Sequence, residues 1–146
     1  MIWQKNKEKF MEKYNVILYD LSRKIEIKAV VYAYEDDLSD DIILNIKSGN
    51  IDLMVRSEGY FSAYQELRDK LLKRGYGLKC NGSLINANQS AMMEYTPKVY
   101  LVEMSRQALT KDIVSVWDYC DINVFPDTIE QNQYIEKWFE SLKAES

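Results

Sequence analysis

Residues 51–81 read as a strand, an amphipathic helix and a second strand, and this unit limits the fold more than any other stretch. NIDLMVR supplies apolar Ile51, Leu53, Met54 and Val55 for the first strand, and GLKCN forms the second. Between them Tyr60, Tyr64, Leu67 and Leu71 fall along one stripe of a helix over about residues 60–74. Gly75 stands where a left-handed stop is wanted. A strand–helix–strand connection nearly always joins two parallel strands through a right-handed crossover. The unit therefore predicts that the two strands lie side by side. Arg56-Ser57-Glu58 and Asn81-Gly82-Ser83 then emerge together at one edge of the sheet, where ligands bind in open α/β sheets.

The flanking segments add strands on one side and a helix on the other. Residues 3–14 suit a helix, with Trp3, Phe10 and Tyr14 on one face. NVILYDLS gives a strand and a turn, and KIEIKAVVYAY alternates to place Ile25, Ile27, Ala29, Val31 and Ala33 on one face. KVYLVEM is a later strand, and LTKDIVSVWDYC reads as a short helix capped by Thr110. No helix runs through Pro126. Beyond it, Thr128 with Gln131 and Asp127 with Glu130 both have capping-box spacing. Tyr134, Ile135, Trp138, Phe139 and Leu142 then form an apolar face expected to pack on the chain's own core. No repeat or linker interrupts the 146 residues. The expectation is one α+β domain over residues 1–146, with a mixed sheet of about five strands, a β-α-β crossover and packed terminal helices.

Histidine is absent, which removes Ser-His-Asp and Cys-His catalysis and the HExxH zinc site. Cys80 and Cys120 stand alone, too few for a four-cysteine zinc site. No cofactor or metal is expected, and the chain reads as a binding protein rather than an enzyme. No apolar run approaches membrane-spanning length, and the amino terminus lacks the apolar core of an export signal. Two reduced cysteines then suit a cytoplasmic location. Charge is unevenly spread: residues 35–58 carry seven acidic and two basic groups, and residues 112–146 carry eight and two. Such blocks argue against nucleic-acid binding and permit an acidic face for a basic protein partner.

The densest acidic stretch is EDDLSDDIILNIKSGN, with five carboxylates in seven positions. Two readings stand for it. Ser39 caps a helix whose first turn holds Asp40 and Asp41, or Asp36, Asp37 and Asp40 form a partner-facing patch. Calcium is a poor fit, because an EF-hand loop beginning at Asp36 needs a ligand where Leu38 stands. Two readings also stand for RSEG and NGS. They are a helix cap and a turn, or Arg56, Ser57, Glu58 and Asn81 make a polar sheet-edge site. RSEG lacks the glycines and the GKS or GKT ending of a phosphate loop, and neither Ser57 nor Ser83 has a visible base.

RSEGYF, then CNGS with NQSAM, then VYLVEMSRQALTKDIVSVWDYC resemble a family of small, largely uncharacterised bacterial proteins. That family shows RSEGYF, CNG and S-x-M in the same order, followed by a strand and an A-x-x-x-D-(I/L)-V-x-(I/V)-(W/F)-D segment. The likeness covers roughly residues 51–121, and MEYTPK replaces a glycine-rich stretch before the KVYLVEM strand. It implies that Arg56, Ser57, Glu58, Tyr60, Asn81, Ser90 and Met92 build a shared local structure. It also implies the role of an immunity protein, which binds and neutralises a cognate bacterial toxin domain. The alternative is a small-molecule or anion-binding domain, with or without enzymatic activity, at Arg56, Glu58 and Asn81.

Overall fold

The computed structural model describes residues 11–144. Four strands form an antiparallel meander: β1 (Glu12–Asp20), β2 (Ile25–Glu35), β3 (Ile42–Ser48) and β4 (Ile51–Ser57). Helix α1 (Tyr60–Lys73) follows, and β5 (Tyr76–Leu78) returns to pair with β1. The strand order is β4-β3-β2-β1-β5, and every pairing is antiparallel. A smaller antiparallel sheet, β6-β7-β8, comprises Ala87–Asn88, Lys98–Leu101 and Ile113–Ser115. Helix α2 (Thr128–Ala144) closes the chain. The α+β class and the five-stranded main sheet are as expected; the mixed pairing is not.

The expected neighbours β4 and β5 occupy opposite edges of the sheet. They do run in the same direction, because three antiparallel steps separate β4 from β1 and one more brings in β5. Helix α1 thus carries the chain across the whole sheet, about 19 Å at four interstrand spacings. The crossover rule concerns chain direction and hand; it leaves open how many strands intervene.

Helix α1 buries Tyr60, Tyr64, Leu67 and Leu71, the stripe its sequence spacing predicted. They pack on Val16, Leu18, Ala29, Val31, Ala33, Leu44, Ile46 and Val55 from the sheet. Trp117 joins them, with its ring centroid 5.0 Å from that of Tyr64 and 5.6 Å from that of Tyr14. Gly75 ends the helix at φ +87°, a conformation that side chains resist.

Three expected helices are revised. The reading of 3–14 falls largely outside the described residues, and Glu12 to Tyr14 lie in β1. The stretch after Ser39 forms β3, whose residues Ile42 to Ile46 are all buried. Its isoleucines suit a strand covered on both faces, and the preceding carboxylates serve a turn. LTKDIVSVWDYC forms a 3-10 turn at Thr110–Asp112 and then β8, not a helix.

Helix α2 begins where expected, with the Asp127–Glu130 pair realising the capping box. Glu130 N–H donates to Asp127 Oδ1 at 2.9 Å, and Asp127 N–H donates to Glu130 Oε1 at 3.1 Å. Its apolar face is only partly covered: Trp138 is buried, but Phe139 is half exposed. A polar residue docks the helix instead. Gln131 Nε2 donates to the carbonyls of Gly82 (2.9 Å) and Leu84 (2.7 Å), and its Oε1 accepts from Arg68 Nη2 at 2.7 Å. The guanidinium of Arg68 is fully buried; it also reaches Asp69 and Thr128, and its Nη1 has no partner among the described residues.

Candidate functional site

The two polar clusters do not meet. Asn81-Gly82-Ser83 forms a 3-10 turn at the β5 edge, in which Gly82 and Ser83 are buried. Ser83 Oγ pairs with the Tyr64 hydroxyl at 2.6 Å, and Asn81 Nδ2 donates to the Ser115 carbonyl at 3.3 Å. Gly82 lies against the Tyr64 ring so closely that a Cβ there would come within 2.7 Å of Cζ. This is a structural junction: the residues do turn, but as a 3-10 turn and not as a hairpin, since β5 pairs with β1 and not with the segment that follows. At the opposite edge, Gly59 occupies the N-cap position of α1 and makes no side-chain cap. The first helical amides are satisfied from the loop before β7: Tyr60 N–H donates to the Glu94 carbonyl and Phe61 N–H to Gln89 Oε1. Glu58 is exposed, and the Ser57 hydroxyl pairs with that of Ser62.

Arg56 instead joins the acidic stretch. Its Nη1 lies 2.9 Å from Asp36 Oδ2 and 3.9 Å from Asp41 Oδ2. Residues 36–41 form the β2–β3 turn, closed by Asp36 N–H donating to the Asp41 carbonyl and Asp40 N–H donating to the Asp36 carbonyl. Asp40 takes a left-handed conformation at φ +61°. The Asp36 carboxylate accepts from Leu38 N–H and from the Ser39 hydroxyl. These bonds, with Arg56, hold its pKa below the usual aspartate value, the Leu38 amide contributing most. Asp36 therefore shapes the turn, whereas Asp37 and Asp40 are exposed around Leu38, which is itself 97% exposed. A cleft of about 330 Å³ beside the turn is lined by Tyr34, Glu35, Asp37, Leu38, Met54 and Arg56, among others.

A second cleft, of about 390 Å³, opens on the other side of Tyr34 and Glu35. Its walls are Glu12, Ala33, Tyr34, Glu35, Ile42, Tyr60 and Tyr95. Strand alternation explains how two carboxylates arrive there. The core-facing residues of β1 run Glu12, Tyr14, Val16 and Leu18, and those of β2 run Ala29, Val31, Ala33 and Glu35. Glu12 stands opposite Ala33 in the ladder, so both glutamates extend the core face at the same rim. Tyr95 reaches the rim from the loop before β7, and Tyr60 from the first turn of α1.

Glu12 is held from behind. It accepts from the Tyr14 hydroxyl, which lies against the hydroxyl of Tyr60, and Tyr60 accepts from Trp117 Nε1 at 2.8 Å. Burial, then the bond to Glu12, pushes Tyr14 up to about 12, and burial raises Tyr60 as well, so both keep their protons. The sequence reading missed Glu12 and Glu35. For Glu35 the signal was present, since it continues the Ala29, Val31, Ala33 face; for Glu12 the expected amino-terminal helix concealed it.

The other charged clusters have structural partners. Lys79, nearly buried, donates to Asp121 at 2.8 Å and to Glu26 at 2.6 Å, with the rings of Tyr19 and Tyr119 beside it. Those two carboxylates, Asp121 first, raise its pKa. Cys80 and Cys120 are free thiols, and burial pushes Cys80 upward. No group of three or more Cys, Asp or Glu side chains among the described residues is placed to hold a metal ion. No described helix is long and apolar enough to cross a membrane. No protein-family model matches the chain, and no curated protein matches it either.

Proposed function

We propose that this chain is a non-enzymatic binding protein for a basic protein surface, and that the partner is a bacterial toxin domain which it neutralises in the cytoplasm. The observation that carries the reading is the surface around Tyr34 and Glu35, where the two clefts share a wall. Exposed apolar groups stand there beside acidic ones: Leu38 is flanked by Asp37 and Asp40, Met54 is 56% exposed on the edge strand β4, and Tyr95 is 56% exposed. An apolar or aromatic anchor inside a polar rim is the usual anatomy of a protein interface. The acidic rim selects a basic partner and speeds its approach. The toxin assignment rests on the resemblance over residues 51–121.

Arg56, Glu58 and Asn81 no longer support the ligand-binding alternative, because the sheet separates Arg56 from Asn81. The test is to mix the purified chain with the toxin domain encoded beside it. A tight 1:1 complex with loss of toxin activity is expected, weakened at least about tenfold by Asp37→Lys with Asp40→Lys. Absence of a complex overturns the reading.

A further inference from the structure

We infer that two copies of this chain pair through the β4 edge, antiparallel about a two-fold axis at Met54, so that their main sheets become one. The inference goes beyond the proposed binding role and does not depend on it. The toxin contact centres on the β2–β3 turn, whereas this pairing uses the main chain of β4. Among the described residues nothing pairs with β4 (Ile51–Ser57) on its outer side. The opposite edge is closed: β5 has 3 residues, Phe125 packs on its Gly77, and the chain beyond it bridges Tyr119 through Cys80. β4 is longer, keeps an unbroken register with β3, and carries neither the proline nor the bulge that blunts many sheet edges.

The hairpin fixes which main-chain groups face outward. Gly49 and Asn50 form a two-residue loop, with Gly49 at φ +53°, so Ser48 and Ile51 make a hydrogen-bonded pair. Ile51, Leu53, Val55 and Ser57 then direct their amides and carbonyls toward β3. Asn45 agrees with this, since its Nδ2 reaches the Leu53 carbonyl from β3 at 2.9 Å. Asp52, Met54 and Arg56 therefore present theirs at the outer edge, and their side chains are exposed on the face away from α1.

Charge selects both the occupant and the register. Centred on Met54, an antiparallel second copy sets Asp52 against Arg56 at both ends, and about six main-chain hydrogen bonds close the ladder. A slide one way sets Asp52 against Glu58, two like charges. The opposite slide sets Asp52 against Met54 and Arg56 against Asn50, which pairs neither charge. Parallel pairing in register stacks Asp52 on Asp52 and Arg56 on Arg56. Arg56 already holds Asp36, and Asp52 already accepts from Asn45, but a guanidinium fork and a carboxylate each serve more than one partner. An edge of 7 residues buries less than a standard interface, so the dimer is weak and concentration-dependent.

The experiment is sedimentation velocity on the full chain from about 10 to 500 µM, a range suited to a small interface. A shift from monomer to dimer is expected. Asp52→Arg alone and Arg56→Asp alone each set like charges together, and each is expected to weaken pairing about tenfold or more. An equimolar mixture of the two variants is expected to recover it, because each then faces the opposite charge. A second arm needs no substitution. With isotope-labelled and unlabelled chain mixed, filtered NMR is expected to place the Leu53 Hα beside the Val55 Hα of the other copy, the close non-hydrogen-bonded pair. A monomer throughout, folded variants that show no recovery on mixing, or a dimer without the Leu53–Val55 contact overturns the inference. A chain that stays monomeric and protects its Met54 amide only in the toxin complex assigns the edge to the toxin, and also overturns it. If a variant fails to fold, the labelled-chain arm decides alone.

Discussion

Arg56 Nη1 lies 2.9 Å from Asp36 Oδ2, so the end of strand β4 reaches back to brace the β2–β3 turn. The guanidinium is half exposed, which makes this a solvent-screened surface ion pair of small net value. Asp36 does more, since its carboxylate also accepts from the Leu38 amide and the Ser39 hydroxyl. Arg56→Ala is therefore expected to cost less stability in urea denaturation than Asp36→Ala. Equal losses would mean that the ion pair, not the turn, dominates.

Acid denaturation follows from five carboxyls. Asp20, Glu26, Asp36, Asp112 and Asp121 are all held below the ordinary values of 3.8 for aspartate and 4.5 for glutamate. The leading causes are the Arg23 amide for Asp20, Lys79 for Glu26 and Asp121, the Leu38 amide for Asp36 and Arg106 for Asp112. A carboxyl depressed on folding contributes stability that is complete above its unfolded value and lost as pH falls through the folded one. Unfolding free energy is expected to hold down to about pH 4.5 and then decline. Lys79 has the opposite sign: raised above 10.5, its contribution is complete below that value and is lost only at higher pH. Urea titrations at stepped pH check both limits.

Gln131 is the most informative single position on α2. Gln131→Ala leaves two carbonyls and the Arg68 guanidinium short of a partner, at an expected cost of about 2–4 kcal/mol. Phe139→Ala, on the half-exposed face, is expected to cost clearly less. The reverse ranking in chemical denaturation would show that apolar contact, not the glutamine, holds the helix.

Gly82→Ala forces a methyl group against a buried tyrosine ring that is also tied to Ser83. The expected loss is about 1–3 kcal/mol, the range for overpacking a filled core. Tyr64→Leu in the same chain is expected to recover part of it, which a double-mutant cycle reads directly.

Leu38→Ser is expected to leave the unfolding free energy unchanged within about 0.5 kcal/mol, because the side chain is almost wholly exposed. If the partner surface includes the turn, affinity for the toxin domain falls with the same substitution. A drop in stability alone would instead give Leu38 an intramolecular role.

Local periodicity made much of the fold legible. The alternation of Ile25 to Ala33, the Tyr60 to Leu71 stripe, Gly75 and the Asp127–Glu130 cap are patterns set within one element, and each is realised. Ile42 to Ile46 were misassigned because burial on both faces erases alternation, leaving the carboxylates before them to suggest a helix start. The acidic turn was visible as a charged cluster, but its bracing by Arg56 was not.

Sheet order lay beyond the chain's local patterns. Pairing of β5 with β1 joins residues some sixty positions apart, and the strand–helix–strand unit is compatible with any number of strands beneath its helix. Only the packed sheet decides that Arg56 meets Asp36 rather than Asn81, because which edge a strand occupies depends on how all the apolar faces close together. The sequence by itself determined the inward face of β2, which Glu35 continues, and the buried stripe of α1. The tertiary structure alone placed Tyr60 and Tyr95 around that carboxylate, because they come from the helix and the later loop that pack over the sheet.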